Sequence, residues 1–272
     1  MSLGSNIAKA RKAKDLSQEE LSVKVGVTNQ AVSLWERDEA VPETGRLVRL
    51  AEALGVTVND LMYDREGCGW ELKSPYFDAE HMYTFVRTKA VSEGWNQVLS
   101  ALPFMREKHR GQVRKGMAGE TYAVHPLTVA CHVMAMGIRD EDVIAAALLH
   151  DTVEDTGTRP EELPVNDRTR GIVCLLSYNT YDGEKNEIKP LYYENIAKNP
   201  AAALIKCTDR CHNLSTMADE CGRGFMENYI RQTERYFPPL LETIRNVPEY
   251  SNAAWLLKNQ IMTLTEIYKR LV

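Results

Sequence analysis

A histidine and three carboxylates sit within six residues at the end of an apolar run, Val143-Ile-Ala-Ala-Ala-Leu-Leu-His-Asp-Thr-Val-Glu-Asp155. The spacing predicts one continuous helix. Val143, Ala147, His150 and Glu154 recur four, three and four apart and share a face, with Asp151 and Asp155 forming a second ridge beside it. Ionisable groups packed on an apolar helix cost free energy unless something compensates their desolvation. A divalent metal does so directly and leaves two acids over to move protons.

Two further segments carry groups of the same kind. Tyr122-Ala-Val-His-Pro126 places His125 just before a proline, where a helix can begin. Leu204-Ile-Lys-Cys-Thr-Asp-Arg-Cys-His-Asn213 follows an apolar run and places Asp209 near the expected start of a helix. Taken singly, His125 also fits a hydrogen-bonded structural histidine, and Asp209 an N-cap or a partner of Arg210. Taken with the adjacent His150 and Asp151, they form a nitrogen and oxygen donor set suited to manganese, iron or another octahedral divalent ion.

These groups need elements to hold them, and the pattern is helical throughout. The chain has 272 residues, long for one compact domain and comfortable for two. The expected fold is all-α: a helix-turn-helix domain over 5–63, a connector over 64–92 and a helical bundle over 93–272. In the first domain, Ser17 and Glu20 form a capping box, Gly26 ends the second helix, Thr28 caps a third over 29–37, and Gly55 closes a fourth over 43–54. A fifth is expected over 58–63. The bundle's helices are expected near 94–110, 125–136, 140–155, 168–178, 190–198, 200–220, 225–246 and 251–271. Leu257, Ile261, Leu264, Tyr268 and Leu271 make a stripe at four-three spacing, read as core.

Composition narrows the function classes. A net charge of −5 argues against a surface given over to nucleic acid, although Lys9, Arg11, Lys12 and Lys14 form a local basic group. No apolar run nears the roughly 20 residues of a membrane span, and Met1-Ser-Leu-Gly-Ser5 does not read as a signal segment, so a cytoplasmic protein with no membrane partner is expected. None of the six cysteines falls in a CxxC pair, which suits reduced thiols better than a zinc site.

Two resemblances sharpen this reading. Leu16-Ser-Gln-Glu-Glu-Leu21, Val25-Gly-Val-Thr28, Val32-Ser-Leu-Trp-Glu-Arg37 and Leu50-Ala-Glu-Ala-Leu-Gly55 resemble the Cro and phage-repressor class of helix-turn-helix domains. That implies double-stranded DNA as a partner, with Asn29, Gln30 and Ser33 on the recognition helix and Gln18 at the start of the preceding one. Asn and Gln can bond adenine edges bidentately. Such readers commonly bind paired half-sites, so a homodimer is expected.

The bundle resembles the hydrolase domain of RelA/SpoT-type alarmone enzymes. Lys108-His-Arg-Gly-Gln-Val-Arg-Lys115, Gly119-Glu-Thr-Tyr-Ala-Val-His-Pro126, Ala146-Ala-Leu-Leu-His-Asp-Thr-Val-Glu-Asp-Thr-Gly157 and Lys206-Cys-Thr-Asp-Arg-Cys-His-Asn-Leu-Ser-Thr-Met217 carry the likeness. It implies manganese-dependent removal of the 3′-pyrophosphate of ppGpp or pppGpp. The matching metal ligands are His125, His150, Asp151 and Asp209, and the acid pair is Glu154 and Asp155. Arg114 and Lys115 match positions that contact the nucleotide; Asn213 and Thr216 match positions lining its ribose and phosphate side. The family's Val-Asp-Gly-Val-Thr-Lys segment is replaced here near Val173-Cys-Leu-Leu-Ser-Tyr-Asn-Thr180, and Cys211 stands where a larger aliphatic residue is commoner. The first departure leaves open an HD-type phosphohydrolase for another nucleotide. A regulator that senses a nucleotide without turnover is a third reading, against which the intact acid pair counts.

Overall fold

A computed structural model describes residues 3–58, 61, 78–113, 121–217 and 222–272, which divide into two compact units, Met1–Tyr76 and Phe77–Val272. The described elements are helical, apart from one isolated antiparallel bridge between Val113 and Thr121.

In the first unit, α1 (Leu3–Ala13), α2 (Gln18–Val25), α3 (Asn29–Glu36) and α4 (Thr44–Leu54) enclose Ile7, Leu21, Val32, Leu50, Leu54 and Leu61. The local signals explain the boundaries. Ser17 Oγ accepts the Glu20 N–H while the Glu20 carboxylate accepts the Ser17 N–H, so two otherwise unpaired helix-end donors are satisfied together. Gly26 and Gly55 end α2 and α4 at φ of 72° and 66°, where a Cβ would be strained. The fifth helix expected over 58–63 lies mostly outside the described residues.

The second unit opens with α5 (Ala79–Glu93), capped by Asp78, so this segment packs with the bundle although the sequence spacing leaves it in the connector. There follow α6 (Asn96–Lys108), α7 (Val124–Ala135), α8 (Glu141–Leu149), the single turn α9 (Thr152–Asp155), α10 (Asp167–Leu176), α11 (Lys185–Ala197), α12 (Pro200–Thr216), α13 (Arg223–Arg245) and α14 (Ser251–Leu271). Helix α8 is the hub: Val143 to Leu149 have no exposed surface, and α6, α7, α10 and α12 pack around it. Its start is pinned by Asp140, which caps the Asp142 N–H, and by Arg168, which pairs with both Asp140 and Asp142. Of the stripe on α14, Leu257, Ile261 and Tyr268 are buried and Leu264 is partly so. Leu271, also in that stripe, is exposed.

The continuous helix expected over 140–155 is broken. Helix α8 stops at Leu149, and Asp151 takes φ −99° and ψ −9° before α9 begins. The imidazole is the local cause. His150 Nδ1 donates to the Ala147 carbonyl at 2.8 Å, an acceptor that a continuing helix would give to the Asp151 N–H. Helix α12 corrects a second expectation: Asp209 lies in its middle, not near its start. Asn199 caps that start, accepting the Ala202 N–H at 3.0 Å.

Candidate metal centre

His125 enters from the first turn of α7, His150 and Asp151 from the break after α8, and Asp209 from α12. Both imidazoles are 1% exposed, so no solvent is available to compensate a mismatched donor. Their Nε2 atoms face each other at 3.2 Å. Asp151 Oδ2 is 3.3 Å from His125 Nε2 and 3.1 Å from His150 Nε2. Asp209 Oδ1 lies 3.2 Å from the first and 3.9 Å from the second.

These separations fit one shared cation. Metal–ligand bonds of about 2.1–2.2 Å at right angles put neighbouring donors roughly 3 Å apart. Among the described residues, His125, His150 and Asp151 form a candidate metal group, with donors within 4.8 Å of one another. The tautomers agree as well: since His150 Nδ1 donates to Ala147, its Nε2 presents a lone pair to the centre. The single-residue alternatives for Asp209 fall away, because it is no N-cap and the Arg210 guanidinium turns to Tyr193, Tyr229 and Thr233.

The electrostatics point the same way. Burial opposes charge on His150, but Asp151 and Asp209 outweigh it and raise the imidazole to about 9. Burial likewise opposes ionisation of Asp209, yet Lys206 and His125 hold its carboxyl far below the usual carboxylate range. Asp151 is also held low, against burial, by its two histidines. A divalent cation could take the place of the proton drawn into this pocket, with release of that proton.

A second ring of groups orients the donors. Lys206 Nζ pairs with Asp209 Oδ2 at 3.1 Å, and Asn213 Nδ2 donates to Asp209 Oδ1 at 2.5 Å. His212 stacks on His125, with the two Nδ1 atoms 2.6 Å apart. The Tyr122 hydroxyl faces Asp151 Oδ2 at 2.6 Å and Asp155 Oδ2 at 2.8 Å. Burial and those carboxylates push the phenol far up, so it stays protonated and donates. His109 stacks on the Tyr122 ring at 4.7 Å. Asp155 is raised by burial and by Asp151. Outer groups like these fix ligand orientation and basicity.

Sequence reasoning missed Tyr122, Lys206 and His212 as functional residues, although each lies in a quoted motif. Their signal is spacing: Tyr122 precedes His125 by three, and Lys206 and His212 flank Asp209 by three, one helical turn away. Thr216 lies further along α12, where its hydroxyl bonds the His212 carbonyl at 3.1 Å. Arg114 and Lys115 lie outside the described residues. In the first unit Asn29 and Gln30 are exposed and Ser33 is half-buried. Gln18 donates to Glu36, which is itself gripped by Arg11 at 2.6 and 3.0 Å. That uses Arg11 internally rather than as part of a free basic group. Cys131, Cys174, Cys207 and Cys211 are free thiols. No helix among the described residues is long and apolar enough to cross a membrane.

Comparison with known proteins agrees with both units. A helix-turn-helix family model matches residues 7–61. The Homo sapiens protein named guanosine-3′,5′-bis(diphosphate) 3′-pyrophosphohydrolase MESH1 is 36% identical over 140 residues, 50% of this chain and 78% of that protein. Its Danio rerio namesake is 51% identical over 155 residues, 54% and 84% of the two chains. A guanosine-3′,5′-bis(diphosphate) 3′-pyrophosphohydrolase of Aquifex aeolicus is 38% identical over 127 residues, and the match spans only 18% of its length. A solved structure described as "A metazoan ortholog of SpoT hydrolyzes ppGpp and plays a role in starvation responses" aligns with a TM-score of 0.51 at 28% identity, over 62% of this chain and 95% of that one.

Proposed function

Since the chain belongs to the guanosine-3′,5′-bis(diphosphate) 3′-pyrophosphohydrolases, we propose that it hydrolyses ppGpp or pppGpp to GDP or GTP and pyrophosphate, and that its N-terminal unit binds double-stranded DNA. His125, His150, Asp151 and Asp209 would hold a divalent metal, manganese or another octahedral ion suited to this nitrogen and oxygen donor set. Such an ion supplies Lewis acidity: it draws charge from a phosphoryl oxygen and makes water more acidic.

The chain's own residues do the rest. Glu154 and Asp155 stand on the turn after the ligands; the pair orients the attacking water and Glu154 takes its proton, as the water oxygen bonds to the phosphorus on O3′. The P–O3′ bond breaks, O3′ takes up a proton, and pyrophosphate leaves. Tyr122 keeps Asp151 and Asp155 aligned by its hydroxyl. Arg114, Lys115, Asn213 and Thr216 contact the nucleotide; an arginine can stack on a base or grip phosphate in ways a lysine cannot. Asn29, Gln30, Ser33 and Gln18 face DNA, and the protein acts as a homodimer in the cytoplasm.

The observation that carries the proposal is the pair of buried imidazole Nε2 atoms 3.2 Å apart with carboxylate oxygens at similar range. The test is incubation of the purified protein with Mn²⁺ and ppGpp. Release of GDP and pyrophosphate supports it, and absence of turnover with both guanosine tetra- and pentaphosphate removes this substrate. The altered segment near 173–180 favours one second reading, an HD-type hydrolase for another nucleotide, which a panel of nucleoside polyphosphates separates from the first.

A further inference from the structure

The segment that departs from the family pattern folds back onto Glu154 of the acid pair, and Lys185 at the start of α11 joins it there. The Tyr178 N–H donates to Glu154 Oε2 at 3.2 Å, and Lys185 Nζ donates to Glu154 Oε1 at 2.6 Å. Asn179 Nδ2 ties the same segment to the carbonyls of Val153 and Glu154 at 3.3 and 3.1 Å. Both oxygens of Glu154 are therefore engaged, and the Lys185 ammonium stands on Oε1, where a water giving its proton to this base would have to approach.

The partners form a short series of stacked groups. Lys185 lies 4.4 Å from the centre of the Tyr178 ring, and Tyr178 stacks on Tyr192 at 3.9 Å. Lys206 lies 5.7 Å from the centre of the Tyr192 ring and pairs with Asp209. Two tyrosines thus link two lysines, one on the acid and one on a metal ligand. The lysines differ in freedom: the Lys206 side chain is 15% exposed, whereas that of Lys185 is 59% exposed. An ammonium has three donors, and an exposed ion pair is worth little, so a multiply charged anion beside Lys185 can draw it away at small cost.

We propose that Lys185 is a substrate-binding residue, which takes a phosphoryl oxygen of the incoming pyrophosphoryl group and in moving to it uncovers Glu154 Oε1. This rests on the hydrolase reading of the same site. A base that deprotonates water attacking phosphorus stands within hydrogen-bond reach of that water. A lysine already on that base is consequently within one side chain's reach of the oxygens on the phosphorus. Without such an anion Glu154 stays covered. With it, Oε1 becomes free to accept the proton, which ties the base to the presence of the group it acts on.

The test is calorimetric titration of the manganese-loaded full chain with manganese pyrophosphate, for the unaltered protein and for Lys185→Ala, Lys185→Gln and Lys185→Arg, with melting temperatures measured alongside. Loss of one charge-assisted contact weakens pyrophosphate binding by about tenfold or more in Lys185→Ala and Lys185→Gln, and Lys185→Arg recovers most of it. KM for ppGpp rises in parallel. Undiminished pyrophosphate affinity in Lys185→Ala and Lys185→Gln overturns the proposal, and a lowered melting temperature with unchanged affinity makes Lys185 a mere tether of α11. If pyrophosphate binding depends on Lys185 but ppGpp is not turned over, the substrate reading fails while the phosphate contact stands.

Discussion

On α3, Asn29 and Gln30 stand exposed, while on α7 and at the end of α8 the imidazoles of His125 and His150 are 1% exposed and engaged by His212, Ala147 and the carboxylates. The two regions use polar groups in opposite states. The first presents amides that are open to solvent. The second has removed its polar groups from water, and each depends on its neighbours to avoid the cost of burial. Single substitutions should then act additively and mildly in the first unit, and cooperatively and severely in the second.

The largest effect is expected from His150→Ala, which removes one donor of a buried set. Metal content by elemental analysis should fall to background, and ppGpp turnover by roughly a thousandfold or more. Retention of one stoichiometric metal ion would break the contrast. Next is Glu154→Gln, which keeps shape and metal but lacks the proton acceptor, so kcat should fall by roughly a hundredfold to ten-thousandfold with metal content intact. Tyr122→Phe comes third. Deleting the hydroxyl shared by Asp151 and Asp155 should reduce metal affinity or activity by about tenfold to a hundredfold; an unchanged value on both counts would make the hydroxyl incidental.

The pH response sharpens the same contrast. His150 is raised to about 9 in the folded metal-free protein, against roughly 6.5 unfolded. Its contribution to stability is complete below about 6.5 and is lost as pH rises through 9. The melting temperature of metal-free protein should therefore fall between those limits, and saturating Mn²⁺ should abolish that fall. The smallest effect belongs to the first unit: Asn29→Ala or Gln30→Ala should each cost about 1–3 kcal/mol in binding a duplex selected from a random pool, with little change on non-specific DNA. Equal loss on both DNAs would assign these amides to the phosphate backbone.

What was legible in the sequence is what local rules decide. Ser17, Glu20, Gly26 and Gly55 mark helix ends because their effects act within a turn. The gathering of His125, His150, Asp151 and Asp209 was legible because few residue types form such a donor set, and the structure places all four side chains side by side. The break at His150 was not legible, because periodicity assumes that each carbonyl bonds the backbone and here a side chain takes one. Nor was the pairing of Lys185 with Glu154, which joins residues 31 positions apart. For Gln18, position suggests a DNA contact, but spacing does not reveal that its amide N–H donates to Glu36 on the next helix.

Helix α8 is built around Ala145, Ala146 and Ala147, none with any accessible surface. With neighbours on every side, it offers no wall that can yield to an added methyl group. Change there is confined to swaps of nearly equal volume, whereas the loops and the outer face of α14 can drift. Three residues that perform no chemistry at all should therefore be among the least mutable of the described residues.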